Sequence, residues 1–99
     1  MKKIKLRDYQ EKMIEDLKDA DLACSYLNEA LLDDDPRVFL LALKNVCQAQ
    51  DEMSALARRA KLSRENMYRI LSKKGNPKLT SIMSLLNAVG FSLAIQPTR

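Results

Sequence analysis

The chain has 99 residues, of which 46% are hydrophobic and 30% charged, so it suits one soluble domain and excludes both wholesale disorder and two full-sized domains. It contains no histidine, which excludes a Ser-His-Asp or Cys-His nucleophile and a His-ligated metal. No apolar run is long enough to span a bilayer and no signal peptide is recognisable, so we predict a cytoplasmic protein with no membrane partner, no enzymatic activity, no metal and no cofactor.

The net charge of +4 combines three segments of alternating sign. Residues 1–7 carry four bases and no acid, residues 8–52 carry twelve acids against four bases, and residues 53–99 carry nine bases against one acid. Such a sharp change in the sign of the net charge along a small protein indicates two surfaces with different partners. The alternative is that both segments form ordinary solvated surface.

The acidic first half is predicted to form three helices, the first over residues 8–17. Asp19 or Asp21 is a suitable N-cap for the second helix. Residues 33–36, three aspartates and a proline, are expected to end that helix and start a third, because proline suits a first helical turn. Residues 38–46 are apolar almost all round, which predicts the central helix of the core. The apolar stripe of the second helix consists of Leu22, Ala23, Tyr26, Leu27, Ala30 and Leu31.

The two cysteines, Cys24 and Cys47, lie within the second and third of these helices. They are too far apart in sequence for a CxxC redox pair or a four-ligand zinc site. We predict that both are reduced, buried and small hydrophobic members of the core.

The basic second half is predicted to form a short helix over residues 54–60, a tight turn over residues 61–63 and a second helix over residues 64–72. Ser63 is a suitable N-cap for the second helix, and Glu65 in its first turn complements the helix dipole. Small Ala57 allows the two helices to cross closely. The side chains predicted to lock them together are Leu56, Leu62, Met67, Ile70 and Leu71.

The remaining residues are predicted to form one more helix and a strand. Gly75 and Pro77 end the preceding helix, and the last helix, over residues 79–89, closes at Gly90. Residues 91–95 alternate large and small side chains, which is typical of a short strand. That strand needs a partner, either residues 3–6 of the same chain or a second chain, and the sequence does not choose between them.

Two short helices joined by a three-residue turn, with basic and polar residues at the start of the second, are typical of a helix-turn-helix. In this motif the second helix presents its N-terminal side chains to a major groove about 12 Å wide. The excess of bases after residue 52 favours this interpretation over an ordinary helical hairpin.

The run 56–72, continuing to Gly75-Asn76-Pro77, resembles the lambda-repressor-like, Cro-type helix-turn-helix. With residues 21–31, the Asp35-Pro36 helix start and residues 85–93, it more narrowly resembles the antidote proteins of small bacterial addiction modules, over residues 8–95. The resemblance implies an antitoxin that represses its own operon and neutralises a small RelE/ParE-like toxin. Lys61 departs from the pattern, because glycine is usual at that position, and Met53 stands where a polar residue is common.

We therefore predict an all-α single domain of five to six helices with a short C-terminal strand, covering residues 1–99. Residues 8–50 form its acidic N-terminal helices. Residues 51–95 form its DNA-binding part, with the helix-turn-helix, the C-terminal helix and the strand.

Position on the second helix assigns roles to its exposed side chains. Arg64 or Arg69 suits a bidentate contact to guanine, and Glu65 suits the amino group of cytosine. The alternatives are phosphate contacts for both arginines and a half-buried scaffold role for Tyr68. The candidates for base contacts are Arg64, Glu65, Tyr68 and Arg69. The candidates for phosphate contacts are Lys61, Ser63, Asn66, Lys73, Lys74 and Asn76.

One recognition helix reads too few bases for selectivity, so we expect a homodimer on double-stranded operator DNA with two-fold symmetry. The candidates for the dimer or partner contact are Leu86, Val89, Phe91, Leu93 and Ile95, with core packing as their alternative use. The acidic segment suits a small basic toxin. Its exposed candidates are Asp8, Glu11, Glu15, Asp16, Asp19, Asp21 and Glu29.

Two other functions fit the same features. One is a stand-alone Cro-type repressor without a toxin, which the neighbouring gene would distinguish. The other is a helical protein-interaction adaptor, which salt-dependent binding to the chain's own upstream DNA would exclude.

Overall fold

Six helices account for most of residues 6–72 and 76–98, the part of the chain that the computed structural model describes. The predicted all-α fold is therefore confirmed. None of the helices in this part is both long enough and apolar enough to cross a membrane. The helices are α1 (Leu6–Asp16), α2 (Ala20–Leu31), α3 (Pro36–Gln50), α4 (Met53–Arg59), α5 (Arg64–Ile70) and α6 (Leu79–Ala88).

Aspartate side chains fix the starts of α2 and α3. Asp19 caps α2 by accepting hydrogen bonds from the backbone N–H groups of Asp21 and Leu22, at 2.8 and 3.2 Å. Asp35 caps α3 by accepting from the N–H of Arg37 at 2.9 Å, and Pro36 occupies the first turn. The pKa of Asp35 is lowered, mainly by the hydrogen bond from the Arg37 side chain and secondly by this hydrogen bond from the Arg37 backbone. Both predicted helix starts are confirmed. Each aspartate supplies a side-chain oxygen to a first-turn backbone N–H that has no acceptor within the helix.

The third helix forms the centre of the core, as predicted. α3 packs against α1, α2 and α4, and its side chains Leu43, Val46 and Cys47 are completely buried. One polar side chain, Asn45, is buried among them. Its Nδ2 donates to Tyr26 Oη at 2.9 Å, and its Oδ1 accepts from Gln10 Nε2 at 3.3 Å. This network joins α1, α2 and α3, because burying the amide requires both of its ends to be satisfied.

The apolar stripe of α2 is wider than the face that the protein buries. Ala23, Leu27 and Ala30 are buried, whereas Leu22 and Leu31 at the two edges of the stripe are exposed. Cys24 is also exposed, so the prediction that it is buried is wrong, while the burial of Cys47 is confirmed. A residue next to Ala23 points about 100° away around the helix, which turns the Cys24 side chain off the face that contacts α3.

The end of α6 is built as the sequence predicts. Gly90 has a φ of +93°, a left-handed conformation that glycine adopts without strain. The N–H of Gly90 donates to the carbonyl of Asn87 at 3.1 Å, and that of Phe91 donates to Leu86 at 2.8 Å. These two bonds satisfy the last helical carbonyls, as in a Schellman motif.

The described residues 91–98 contain no strand, so the strand predicted over residues 91–95 does not form within this chain. Its pairing with a second chain stays a prediction. An isolated extended segment has no partner for its backbone groups. Residues 3–6 are the predicted partner for this strand within the chain. Leu6 is helical, because it begins α1, and residues 3–5 lie outside the described part of the chain. The predicted helix stop at Gly75 also falls on a residue that the structure does not describe.

Candidate nucleic-acid interface

Helices α4 and α5 are locked together by buried apolar side chains. Leu56 of α4 and Met67 of α5 have no exposed surface, and Ala57 and Leu71 are nearly as buried. Ala57, the small residue predicted to let the two helices cross closely, is buried on α4, and α4 contacts α5. This packing fixes the direction of α5 relative to the rest of the protein.

The turn between the two helices places Lys61 in the left-handed region, with a φ of +58°. The N–H of Leu62 donates to the carbonyl of Ala57 at 2.9 Å, and the N–H of Lys61 donates to Arg58 at 3.2 Å. These bonds close α4 in the same way that Gly90 closes α6. Without the freedom of glycine, Lys61 is strained by about 1 kcal/mol, and its side chain is exposed next to α5.

The first turn of α5 begins at Ser63, as predicted. The Ser63 Oγ accepts a hydrogen bond from the backbone N–H of Asn66 at 3.0 Å. Glu65 lies in the same turn, where its negative charge complements the helix dipole. The cap holds the start of this seven-residue helix, which carries the candidate DNA-contacting side chains.

The exposed side of α5, which we call the α5 surface, consists of Arg64, Glu65, Asn66, Tyr68 and Arg69. The guanidinium carbon of Arg64 lies 5.7 Å from the centroid of the Tyr68 ring. Tyr68 is 41% exposed, so it forms part of this surface rather than of the core. Within the described part of the chain, neither Arg64 nor Arg69 has a carboxylate within ion-pair distance. Both guanidinium groups are therefore available to an external anion.

A concavity of about 520 Å³ separates α5 from the start of α6. It brings together three of the predicted residues, Asn66, Arg69 and Asn76. Lys78, immediately before α6, also lines it and was not among the predicted contacts. Its basic charge beside a helix start was a usable signal in the sequence. Lys73 and Lys74, predicted as phosphate contacts, lie outside the described residues.

The two arginines of α4 have different surroundings. Arg59 donates to the carboxylate of Asp51 at 3.2 Å. Arg58 is exposed and has no ion pair among the described residues. Successive residues of a helix point in different directions, so Arg58 and Arg59 do not act as one cationic site.

In the described part of the chain, no three acidic or cysteine side chains lie close enough together to hold a metal ion.

The residues predicted for a dimer or partner contact separate into two groups. Leu86 and Val89 are buried in the core, so they have no surface to offer a partner, and Phe91 is half-buried against the same core. Leu93 and Ile95 are exposed. The acidic candidates of the first half are all exposed: Asp8, Glu11, Glu15, Asp16, Asp19, Asp21 and Glu29.

The fold and the α5 surface define a small helical protein with an acidic first half and an exposed cationic helix in its second half. The chain belongs to the family described as probable addiction module antidote proteins, whose family model matches residues 7–97. Membership of an antidote family implies a toxin partner. The chain is also 36% identical over 96 residues to an uncharacterized protein from Haemophilus influenzae, covering 88% of this chain and 98% of that protein. No solved structure matches the chain.

Proposed function

We propose that this antidote protein binds operator DNA through α4 and α5, which act as a Cro-type helix-turn-helix, and so represses its own operon. In this proposal it also neutralises a RelE/ParE-like toxin encoded beside it. The observation that carries the DNA-binding part is the α5 surface, where Arg64 and Arg69 are exposed on a capped helix of fixed direction.

The α5 surface supplies the side chains that base recognition needs. A guanidinium group makes two parallel hydrogen bonds to guanine, and a carboxylate accepts from cytosine, so Arg69, Arg64 and Glu65 take these roles. The position of Arg64 over Tyr68 keeps its guanidinium near the helix and restricts its rotamers. Tyr68 adds an apolar ring beside these polar groups.

Phosphate contacts surround this surface. Lys61 in the turn, Ser63 at the cap, and Asn76 and Lys78 beside the concavity are all exposed. Lys73 and Lys74 complete the proposed set through their position in the sequence. Because such contacts release counterions, the affinity of a dimer falls by several powers of ten for each tenfold rise in salt.

A homodimer would place two copies of α5 on a symmetric operator. With Leu86 and Val89 buried, the exposed apolar side chains of α6 become the better candidates for the dimer contact. Leu79 and Met83 lie one helical turn apart on α6, and both are exposed. We therefore place the dimer contact on this face of α6.

The experiment that tests DNA binding compares Arg69→Ala with the wild-type chain on a labelled duplex from the region upstream of its own gene. If Arg69 reads a base, the variant loses about 1–3 kcal/mol of binding free energy and discriminates less between operator and unrelated DNA. Fluorescence anisotropy at two salt concentrations measures both effects.

Lys12→Ala is the matched control, because it removes the same charge from an exposed position on α1. It should leave operator affinity unchanged. Equal affinity of Arg69→Ala and Lys12→Ala would contradict the assignment of Arg69.

A further inference from the structure

A groove runs between α2 and the segment that follows α6. It has a volume of about 640 Å³ and is lined by α2 and by residues 92–96. Leu31 and Leu93 line this groove and also two adjoining concavities, so the three depressions form one continuous surface. We call this surface the α2–tail groove.

Large apolar side chains in the α2–tail groove are exposed to solvent. Leu32 is 79% exposed, Ile95 is fully exposed, and Leu31 and Leu93 are each more than a third exposed. Isolated exposed apolar residues are normal, whereas several around one concave surface are typical of an interaction site. This surface is therefore suited to a partner that contributes apolar side chains.

The charges around the groove are negative. Glu29 lines the groove, and Asp33 and Asp34 line the adjoining concavity. Among the described residues that line these surfaces, the single cationic side chain is Arg37. Its guanidinium is held by Asp35 at 2.8 Å, so it does not offset the three carboxylates. A cationic partner would find complementary charge here.

We propose that the α2–tail groove is the docking surface for the toxin, a cationic protein that inserts apolar side chains flanked by lysine or arginine. This inference rests on the proposed toxin partner and locates its contact. The apolar side chains supply most of the affinity, while Glu29, Asp33 and Asp34 steer the approach of the partner.

A second copy of this chain is a poor occupant of the same groove. Two-fold pairing of the groove with itself would bring Glu29, Asp33 and Asp34 of both copies together. Like charges placed opposite one another oppose association. On α6, Leu79 lines the concavity that also holds Asp33 and Asp34, whereas the exposed Met83 lines none of these surfaces and offers a second copy an apolar contact outside the groove.

None of the residues that line the α2–tail groove belongs to α4 or α5. Among the proposed DNA contacts, Asn76 also lines one of these depressions, and the other described DNA contacts line none of them. Apart from Asn76, substitutions in one surface should leave the other intact, which makes the two proposals separable by mutation.

The test measures binding of the purified product of the adjacent gene to this chain by titration calorimetry. Leu32→Ser combined with Ile95→Ser should weaken binding about tenfold or more, because it removes two exposed apolar contacts. In stopped-flow measurements with the same two proteins, Glu29→Gln combined with Asp34→Asn should slow association and reduce its dependence on salt. Leu41→Ser and Glu52→Gln are the matched controls, since both residues are exposed and line none of these surfaces.

A second measurement needs no substitution. Cys24 lines the groove and is exposed, so the bound partner should slow the reaction of its thiol with a disulfide reagent. Protection of Cys24 together with weaker binding by Leu32→Ser/Ile95→Ser supports the inference.

Three results would overturn it in distinguishable ways. Wild-type affinity in Leu32→Ser/Ile95→Ser, with Cys24 unprotected, contradicts the location of the contact alone. Conversion of a wild-type dimer to a monomer by the same variant assigns the groove to a second copy. Failure of the wild-type chain to bind the adjacent product contradicts the proposed toxin partner and this inference with it.

Discussion

The thiol of Cys47 is completely buried in α3, and its burial raises the pKa to about 12. An unfolded chain would hold the same thiol at a pKa of about 8.5. The folded state therefore binds this proton more tightly than the unfolded state. The stability that follows from this difference is complete below the unfolded pKa and is lost progressively as the pH rises toward 12.

We predict that the free energy of unfolding decreases above pH 8.5 by up to about 1.4 kcal/mol per pH unit because of Cys47. Urea unfolding at pH 7, 9 and 10.5 measures the decrease in the wild-type chain. In Cys47→Ala the same series should lack this component, although the variant starts from a lower stability because it leaves a small cavity. Parallel pH profiles for the two chains would contradict the prediction.

At the scale of single elements, the turn between α4 and α5 combines a structural cost with the proposed function. Lys61 occupies a left-handed position that glycine would occupy without strain. Its side chain is exposed in the turn that leads into α5, the helix that we propose to enter the major groove. A residue that is unfavourable for folding is therefore placed where a positive charge favours phosphate binding.

Lys61→Gly should increase the free energy of unfolding by up to about 1 kcal/mol, because it relieves the left-handed strain. The same variant should bind operator DNA several-fold more weakly, because it loses a cation. Urea unfolding and DNA titration on the same preparation measure the two effects.

Lys61→Ala separates the two causes, since it removes the charge and keeps the strain. It should weaken DNA binding as much as Lys61→Gly without the gain in stability. Unchanged DNA affinity in both variants would show that Lys61 makes no phosphate contact.

The elements of this fold were predictable where local chemistry decides them. The caps at Asp19, Asp35 and Ser63 and the stop at Gly90 follow from the few ways in which a helix end can satisfy its backbone groups. The exposure of Cys24 was not predictable, because the apolar stripe of α2 is too wide to specify which part contacts α3. That choice depends on tertiary packing.

The apolar residues proposed for a dimer or partner contact show the same limit: the sequence does not determine which of them are exposed. Leu86, Val89, Leu93 and Ile95 are equivalent in the sequence as apolar residues near the end of the chain. The first two face the core and the last two face solvent, a division that only the packing of α6 determines. By contrast, the exposure of the α5 side chains could be predicted from helical position, because Met67 and Leu71 define the buried side.

At the scale of the whole molecule, the sequence separates charge into an acidic first half and a basic second half. The acidic residues lie on exposed faces of the first helices, and the α2–tail groove lies among them. Among the described bases of the second half, Lys61, Arg64 and Arg69 lie on α5 or in the turn before it, and Lys78 lines the same concavity as Arg69. We interpret this separation as two interaction surfaces, one for a cationic protein and one for DNA.

The most direct test of this account is a map of backbone amide chemical shifts of the wild-type chain during titration with a duplex from its own upstream region. We predict that the largest changes occur at residues 61–69 and at Lys78, with little change in α1 and α2. A map in which α1 and α2 change most, or in which no residue changes at low salt, would contradict the proposal that α5 binds DNA.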